Sequence, residues 1–64
     1  MKIAQILKYE QLKRGMTQIE FANFLNIPRG TLSHHLKGRA ISPSNLKKYS
    51  DKLNLDLAKY YIEE

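Results

Sequence analysis

The sequence has 64 residues, no cysteine and a formal net charge of +5 at pH 7. A chain of this length forms at most one domain, residues 1–64, whose core is too small to enclose a deep catalytic cavity. The lack of cysteine excludes disulfides and thiolate zinc sites. No apolar run approaches the roughly 20 residues that span a bilayer, so we expect no membrane contact. We expect a cytoplasmic protein, and the sequence indicates no cofactor, metal or small-molecule ligand.

The positive charge is concentrated in the middle of the chain. Residues 21–50 contain two arginines and three lysines and no acid, whereas the last fourteen residues carry a net negative charge. A solvated helical surface normally mixes both signs. An acid-free stretch of this length therefore indicates a polyanionic partner, although solubility alone would also favour some net charge.

The first predicted element is a helix at about 2–14, which Gly15 ends. Its inner stripe includes Ile3, Leu7 and, unusually, the acidic Glu10. No segment alternates apolar and polar residues in the manner of a strand. The predicted fold class is all-α, with four to five helices.

The second helix is predicted at about 18–25. Thr17 is placed as its N-cap, and Glu20 three residues on completes a capping box. Met16 before the cap and Phe21 within the helix form a hydrophobic staple. The same five-residue spacing recurs in the pairs Ile27 and Leu32, Ile41 and Leu46, and Leu55 and Tyr60.

Those three pairs mark the starts of the remaining helices. The third helix is predicted at about 29–37 and ends at Gly38; the fourth runs at about 43–53, with Pro43 as its first residue. A short fifth helix is predicted at about 57–62.

The connection between the second and third helices is very short. Only Asn26, Ile27 and Pro28 separate Leu25 from Arg29, so the two helices must cross at a steep angle. Such a turn needs a residue with positive φ, and asparagine is the best choice after glycine. A small residue in the second helix allows the close crossing. The sequence therefore predicts a helix-turn-helix.

The stretch "TQIEFANFLNIPRGTLSHHLKG" resembles the helix-turn-helix of lambda-repressor and Cro-like (XRE-type) DNA-binding proteins, and "SPSNLKKYSDKLNLDLAKYY" looks like that family's last two helices. The resemblance covers about residues 3–62. It implies a compact DNA-binding domain acting as a small Cro-like repressor of a bacterium, phage or mobile element. The shared features are Gln18, Ala22, Asn26, Ile27, Leu32 and Gly38.

Several positions depart from the family pattern. Pro28 replaces a hydroxyl residue or glycine, which predicts a weaker cap for the third helix. Gln11 and Leu36 stand where some relatives pair an arginine with a glutamate. His35 stands where an apolar side chain normally packs, and we expect it to be buried or half-buried with one ring nitrogen hydrogen-bonded. Tyr9 and Tyr49 are expected to serve in packing rather than in chemistry.

The outward side of the third helix is small, polar or basic, which suits the DNA major groove. By resemblance, the family reads bases from the positions of Arg29, Gly30 and His34, and sometimes of Ser33. Arginine can bind both acceptors of a guanine edge. Two of these positions also have a simpler interpretation. Arg29 is then an ordinary surface residue, and Gly30 is a glycine with no role in binding. Neighbouring His34 and His35 point about 100° apart and cannot share a metal ion.

A second set of residues is predicted to contact DNA phosphates, and such contacts fix the position of the protein along the duplex. It includes Gln18, which by resemblance also braces the first residue of the third helix, and Lys37, whose position grips phosphate in the family. The N–H groups that open the second helix form a further anion site. The predicted set is Gln18, Thr31, Lys37 and Arg39.

The expected partner is a double-stranded DNA operator, bound at the nucleoid by a homodimer whose half-sites lie one helical turn, ~34 Å, apart. Tyr60, Tyr61 and Ile62 are predicted dimer contacts; the alternative is that Leu57 and one of the tyrosines close the core. The alternative function is a protein-interaction module, an antitoxin or anti-repressor with the same fold. An enzyme lacks support, because no carboxylate pair, activated nucleophile or phosphate loop is present.

Overall fold

The computed structural model describes residues 2–57. Its helices are α1 (Ile3–Lys13), α2 (Gln18–Leu25), α3 (Arg29–Leu36) and α4 (Pro43–Leu53), and no strand occurs in the described span. The all-α prediction is confirmed, and the predicted bounds of the second and fourth helices agree with the structure. The predicted fifth helix, apart from Leu57, lies outside the described residues. None of the described helices is both long and apolar enough to cross a membrane.

The starts of α2 and α4 are fixed by side-chain caps. The Thr17 hydroxyl accepts a hydrogen bond from the Glu20 N–H at 3.2 Å, and the Glu20 carboxylate accepts one from the Thr17 N–H at 2.8 Å. The Ser42 hydroxyl accepts a bond from the Asn45 N–H at 3.3 Å. Because α3 follows Pro28 and has no side-chain cap, its weaker start is also confirmed.

The turn between α2 and α3 has the predicted geometry. Asn26 adopts the left-handed conformation, with φ 60° and ψ 45°. The Ile27 N–H then donates to the Ala22 carbonyl at 3.0 Å, closing the end of α2. Ala22 is buried, as a close helix crossing requires. The helix-turn-helix therefore follows from local backbone chemistry and one small residue.

One core joins all four helices. Both members of the pairs that precede α3 and α4 are buried in it, and Met16 packs against it. Tyr49 is fully buried as expected, but Tyr9 is 62% exposed, so its predicted packing role is wrong; its ring lies 5.7 Å from the Lys13 ammonium. The buried apolar residues are Ile3, Ile6, Leu7, Phe21, Ala22, Leu25, Ile27, Leu32, Leu36, Ile41, Leu46, Tyr49, Leu53 and Leu57.

Glu10 is buried on the inner stripe of α1, as its spacing predicts. Its carboxylate lies 3.2 Å from the Arg14 guanidinium and 3.5 Å from the Lys13 ammonium. The Arg14 guanidinium in turn stacks 5.0 Å from the centroid of the Phe24 ring. The acid is therefore neutralised by its own helix and leaves no uncompensated charge in the core.

His35 is the second buried polar residue. Its Nδ1 and the Tyr49 hydroxyl are 2.5 Å apart, and the two rings meet edge to face. Burial raises the pKa of the Tyr49 hydroxyl, which therefore keeps its proton. That proton has one described acceptor, Nδ1, so the neutral imidazole carries its own proton on Nε2. Burial, and secondly the charge of His34, hold the pKa of His35 below its ordinary value.

We expect the free energy of unfolding to fall as the pH drops below about 6.5, the ordinary pKa of histidine. Folded His35 binds a proton more weakly than unfolded His35, because burial lowers its pKa. Its contribution to stability is therefore complete above the pKa of the unfolded chain and is lost as the pH falls towards the folded pKa.

Urea unfolding at about pH 8 and about pH 6, where carboxylates stay ionised, measures this effect. The variant His34→Gln should keep the pH dependence of the free energy of unfolding. The variant His35→Gln should lose this dependence, although it should be less stable than the parent at both pH values. Equal stability of the parent chain at both pH values would contradict the assignment.

Candidate nucleic-acid interface

The two sides of α3 differ completely in exposure. Leu32, His35 and Leu36 are buried, whereas the residues on the other side are exposed or half-buried. With about 100° per residue, that second side forms one continuous stripe. We call it the outer stripe of α3; it consists of Arg29, Gly30, Ser33, His34 and Lys37. The structure thus brings all four predicted base-reading residues and one predicted phosphate-binding residue onto one surface.

Arg29 stands at the least favourable end of α3 for a cation. It is the first residue of the helix, no acid lies in the first turn, and the N-cap Pro28 supplies no side-chain bond. A cation at the positive end of a helix dipole costs about 0.3–1 kcal/mol. No carboxylate within the described residues pairs with it. Its guanidinium is exposed and available to an external anion.

The ion pairs of the described region lie away from the outer stripe. They belong to α1 and α4, where Lys13 and Arg14 bind Glu10, and Lys47 lies 3.6 Å from Asp51. None of the described carboxylates pairs with Lys37 or with any other cation between residues 21 and 46. The positive potential of the α3 surface is therefore not cancelled by local acids.

Gly30 has no structural reason to be glycine. It lies within α3 at an exposed position, and a Cβ added there would meet nothing within 4 Å. Its φ is not in the left-handed range. Glycine in a helix costs about 0.5–1 kcal/mol relative to alanine. The fold bears this cost without any compensating contact in the described chain.

The start of α2 is a weaker anion site than the sequence suggests. The capping box occupies the N–H groups of Thr17 and Glu20, which leaves those of Gln18 and Ile19. The Thr17 N–H, and secondly its hydroxyl, lower the pKa of Glu20, so a carboxylate charge persists beside these groups. No hydrogen bond in the described chain joins Gln18 to Arg29, so the bracing implied by the resemblance is not formed in this structure.

Besides Gln18 in α2, two further predicted phosphate-binding residues lie off the outer stripe. Thr31 is half-buried at its edge. Arg39 follows the end of α3 and lines a separate cavity together with Lys2 and His35. Lys2 could not be identified from the sequence, because residues 2 and 39 line one cavity only through the packing of the folded chain.

The family comparison agrees with this geometry. The helix-turn-helix family model matches residues 3–60. The chain belongs to this family, the lambda-repressor-like (XRE-type) DNA-binding helix-turn-helix regulators, which are typically not enzymes. Comparison with curated proteins and with solved structures gave no match.

We expect Gly30→Ala to stabilise the fold and to weaken DNA binding. The added methyl group meets no protein atom and removes the helix cost of glycine, a gain of about 0.5–1 kcal/mol. On DNA the same methyl group would obstruct close approach of α3 to the base edges.

Urea unfolding and binding to a duplex measure the two effects separately. Asn23→Ala is the matched control, because it improves helix propensity at an exposed position of α2 outside the stripe. A Gly30→Ala protein that is stabilised and binds DNA unchanged would show that α3 does not approach DNA closely at this position.

Proposed function

We propose that this protein is a sequence-specific regulator of transcription, a small Cro-like repressor that inserts α3 into the major groove of double-stranded DNA. The observation that supports the proposal is the outer stripe: an exposed basic helix face with no carboxylate partner in the described chain. A B-DNA major groove is about 12 Å wide and admits one α-helix.

Base reading is assigned to the first two turns of α3. The Arg29 guanidinium donates to both acceptors of a guanine edge, which specifies that base pair. Gly30 lets the backbone approach the groove floor. The Ser33 hydroxyl and the His34 imidazole each donate to or accept from base edges. All four are accessible from one side of the helix, so one insertion presents them together.

Phosphate contacts are assigned to residues around that helix. Lys37 lies at the end of the outer stripe, where the groove wall would meet it, and Gln18 and Thr31 flank the α2–α3 unit. Arg39, which follows the end of α3, is assigned to a phosphate of the DNA backbone. These contacts would set affinity and register, whereas the base contacts would set sequence preference.

A single helix reads few base pairs, so we propose that two copies bind half-sites one turn of DNA apart, ~34 Å. Tyr60, Tyr61 and Ile62, the predicted dimer contacts, lie outside the described residues. The symmetry of the bound DNA site therefore tests this part of the proposal. Bacterial, phage or mobile-element origin rests on the family resemblance.

A role as an antitoxin or anti-repressor is the alternative. It would require an exposed apolar surface for a protein partner. The large apolar side chains exposed in the described region are Tyr9, Leu12, Ile19 and Leu55, none of which belongs to α3. Isolated apolar side chains of this kind are normal on protein surfaces. The outer stripe therefore favours DNA.

Selection of bound sequences from a random DNA pool tests the proposal. We expect one enriched site with two-fold symmetry. On that site, Arg29→Ala should cost ~1–3 kcal/mol of binding free energy and relax preference at one base position. Lys8→Ala, which removes an exposed cation from α1, is the control and should change little.

Lys37→Ala is the contrasting variant. Loss of one phosphate contact should weaken all sequences to a similar degree and reduce the slope of log affinity against log salt by about 1. If Arg29→Ala leaves both affinity and preference unchanged, or no sequence is enriched, the assignment of α3 as the reading helix is wrong.

A further inference from the structure

A cavity of about 150 Å³ lies between the first turn of α1 and the segment that follows α3. Lys2 and Arg39 line it, and both are exposed and unpaired with any described carboxylate. No acidic residue within residues 2–57 contributes to the wall. The lining residues are Lys2, Ala4, His35, Gly38, Arg39 and Ile41. The cavity therefore has a positive potential that nothing in the described chain offsets.

The His35 imidazole supplies a hydrogen-bond donor to this cavity. The residue is only 4% exposed, and its Nδ1 bonds to Tyr49. No described group bonds to Nε2, yet no fully buried side-chain nitrogen or oxygen lacks a partner. Nε2 must therefore belong to the small part of the ring that remains accessible. Since His35 is one of the lining residues and its accessible Nε2 is assigned the proton, this N–H is available to the cavity.

The N-terminus of α1 adds to the positive potential of the cavity. The helix begins at Ile3 without a side-chain cap from Lys2. The N–H of Ala4, a lining residue, has no acceptor within the helix, because Ala4 lies in the first turn of α1. The positive end of the helix dipole therefore points towards the cavity. Among the lining residues of the described chain, the polar side chains are Lys2, Arg39 and His35, which are two cations and one N–H donor.

We propose that this cavity is a binding site for a phosphate-type oxyanion, held by Lys2, Arg39 and the Nε2–H of His35. Its volume accommodates a tetrahedral oxyanion with water but is below the roughly 300–1,000 Å³ of pockets that enclose larger ligands. The phosphate group is either a free oxyanion or a backbone phosphate of bound DNA. The proposal uses no residue of the outer stripe, but it shares Arg39 with the proposed phosphate contacts, so its DNA arm rests on the proposed function.

Nitrogen NMR of the histidine side chains, in buffer free of phosphate, tests the site. Titration with inorganic phosphate, against sodium chloride at equal ionic strength, should shift His35 Nε2 in a saturable manner and leave His34 unchanged. Arg39→Gln should weaken phosphate binding about tenfold or more, because a charge-assisted bond is lost. Lys2→Gln should weaken it in the same direction.

Lys8→Gln is the matched control, because it removes one positive charge from an exposed position of α1 outside the cavity. It should leave phosphate affinity unchanged. If it weakens phosphate binding as much as Arg39→Gln does, the binding is diffuse and the site does not exist. A backbone amide spectrum that matches the parent shows that each variant remains folded.

A second titration, with DNA in place of phosphate, identifies the source. If DNA shifts the His35 resonance and Arg39→Gln abolishes that shift, the site binds a backbone phosphate of DNA. A His35 resonance that responds to inorganic phosphate and not to DNA assigns it to a free oxyanion. Either result supports the proposal, and failure of both ligands to move His35 overturns it. The phosphate arm is independent of DNA recognition, so the two proposals fail separately.

Discussion

The burial of one side of α3 is the constraint on which the rest of the structure depends. Leu32 is fully buried, and His35 and Leu36 are nearly so. An isolated helix of eight residues with an uncapped start would not persist in water. Packing therefore holds α3 in place, and Asn26 fixes the angle at which it leaves α2. Because stability comes from the inner side, the outer side is free to carry residues that a helix alone would disfavour.

The separation of charge follows from the same arrangement. Acids in the described chain are mostly satisfied locally: Glu10 is bound by Arg14 within α1, and Glu20 belongs to its own capping box. Neither neutralises α3. The outer stripe and the cavity beside it remain positive, so two adjacent surfaces of this small domain offer donors to anions. The Glu20 carboxylate, although it is bound in its capping box, lies beside the start of α2, where its negative charge opposes the binding of a phosphate.

The sequence predicted what depends on local chemistry. The capping box at Thr17, the left-handed Asn26 and the bounds of α2 and α4 all follow from spacings of a few residues, and the structure confirms them, whereas α1 and α3 are slightly shorter than predicted. The outer stripe follows from helical geometry alone. The burial of His35 was also predictable, but its partner was not, because Tyr49 is fourteen residues away on another helix. The cavity at Lys2 depends on tertiary packing for the same reason.

The most direct test of groove insertion is the coupling between Arg29 and one guanine of the selected duplex. Binding is measured for the parent protein and Arg29→Ala, each with guanine or 7-deazaguanine, which lacks the N7 acceptor in the major groove. If Arg29 reads that base, the two changes are not additive at one position, with a coupling energy of about 0.5–3 kcal/mol. Additive losses at every guanine would contradict the placement of α3 in the major groove.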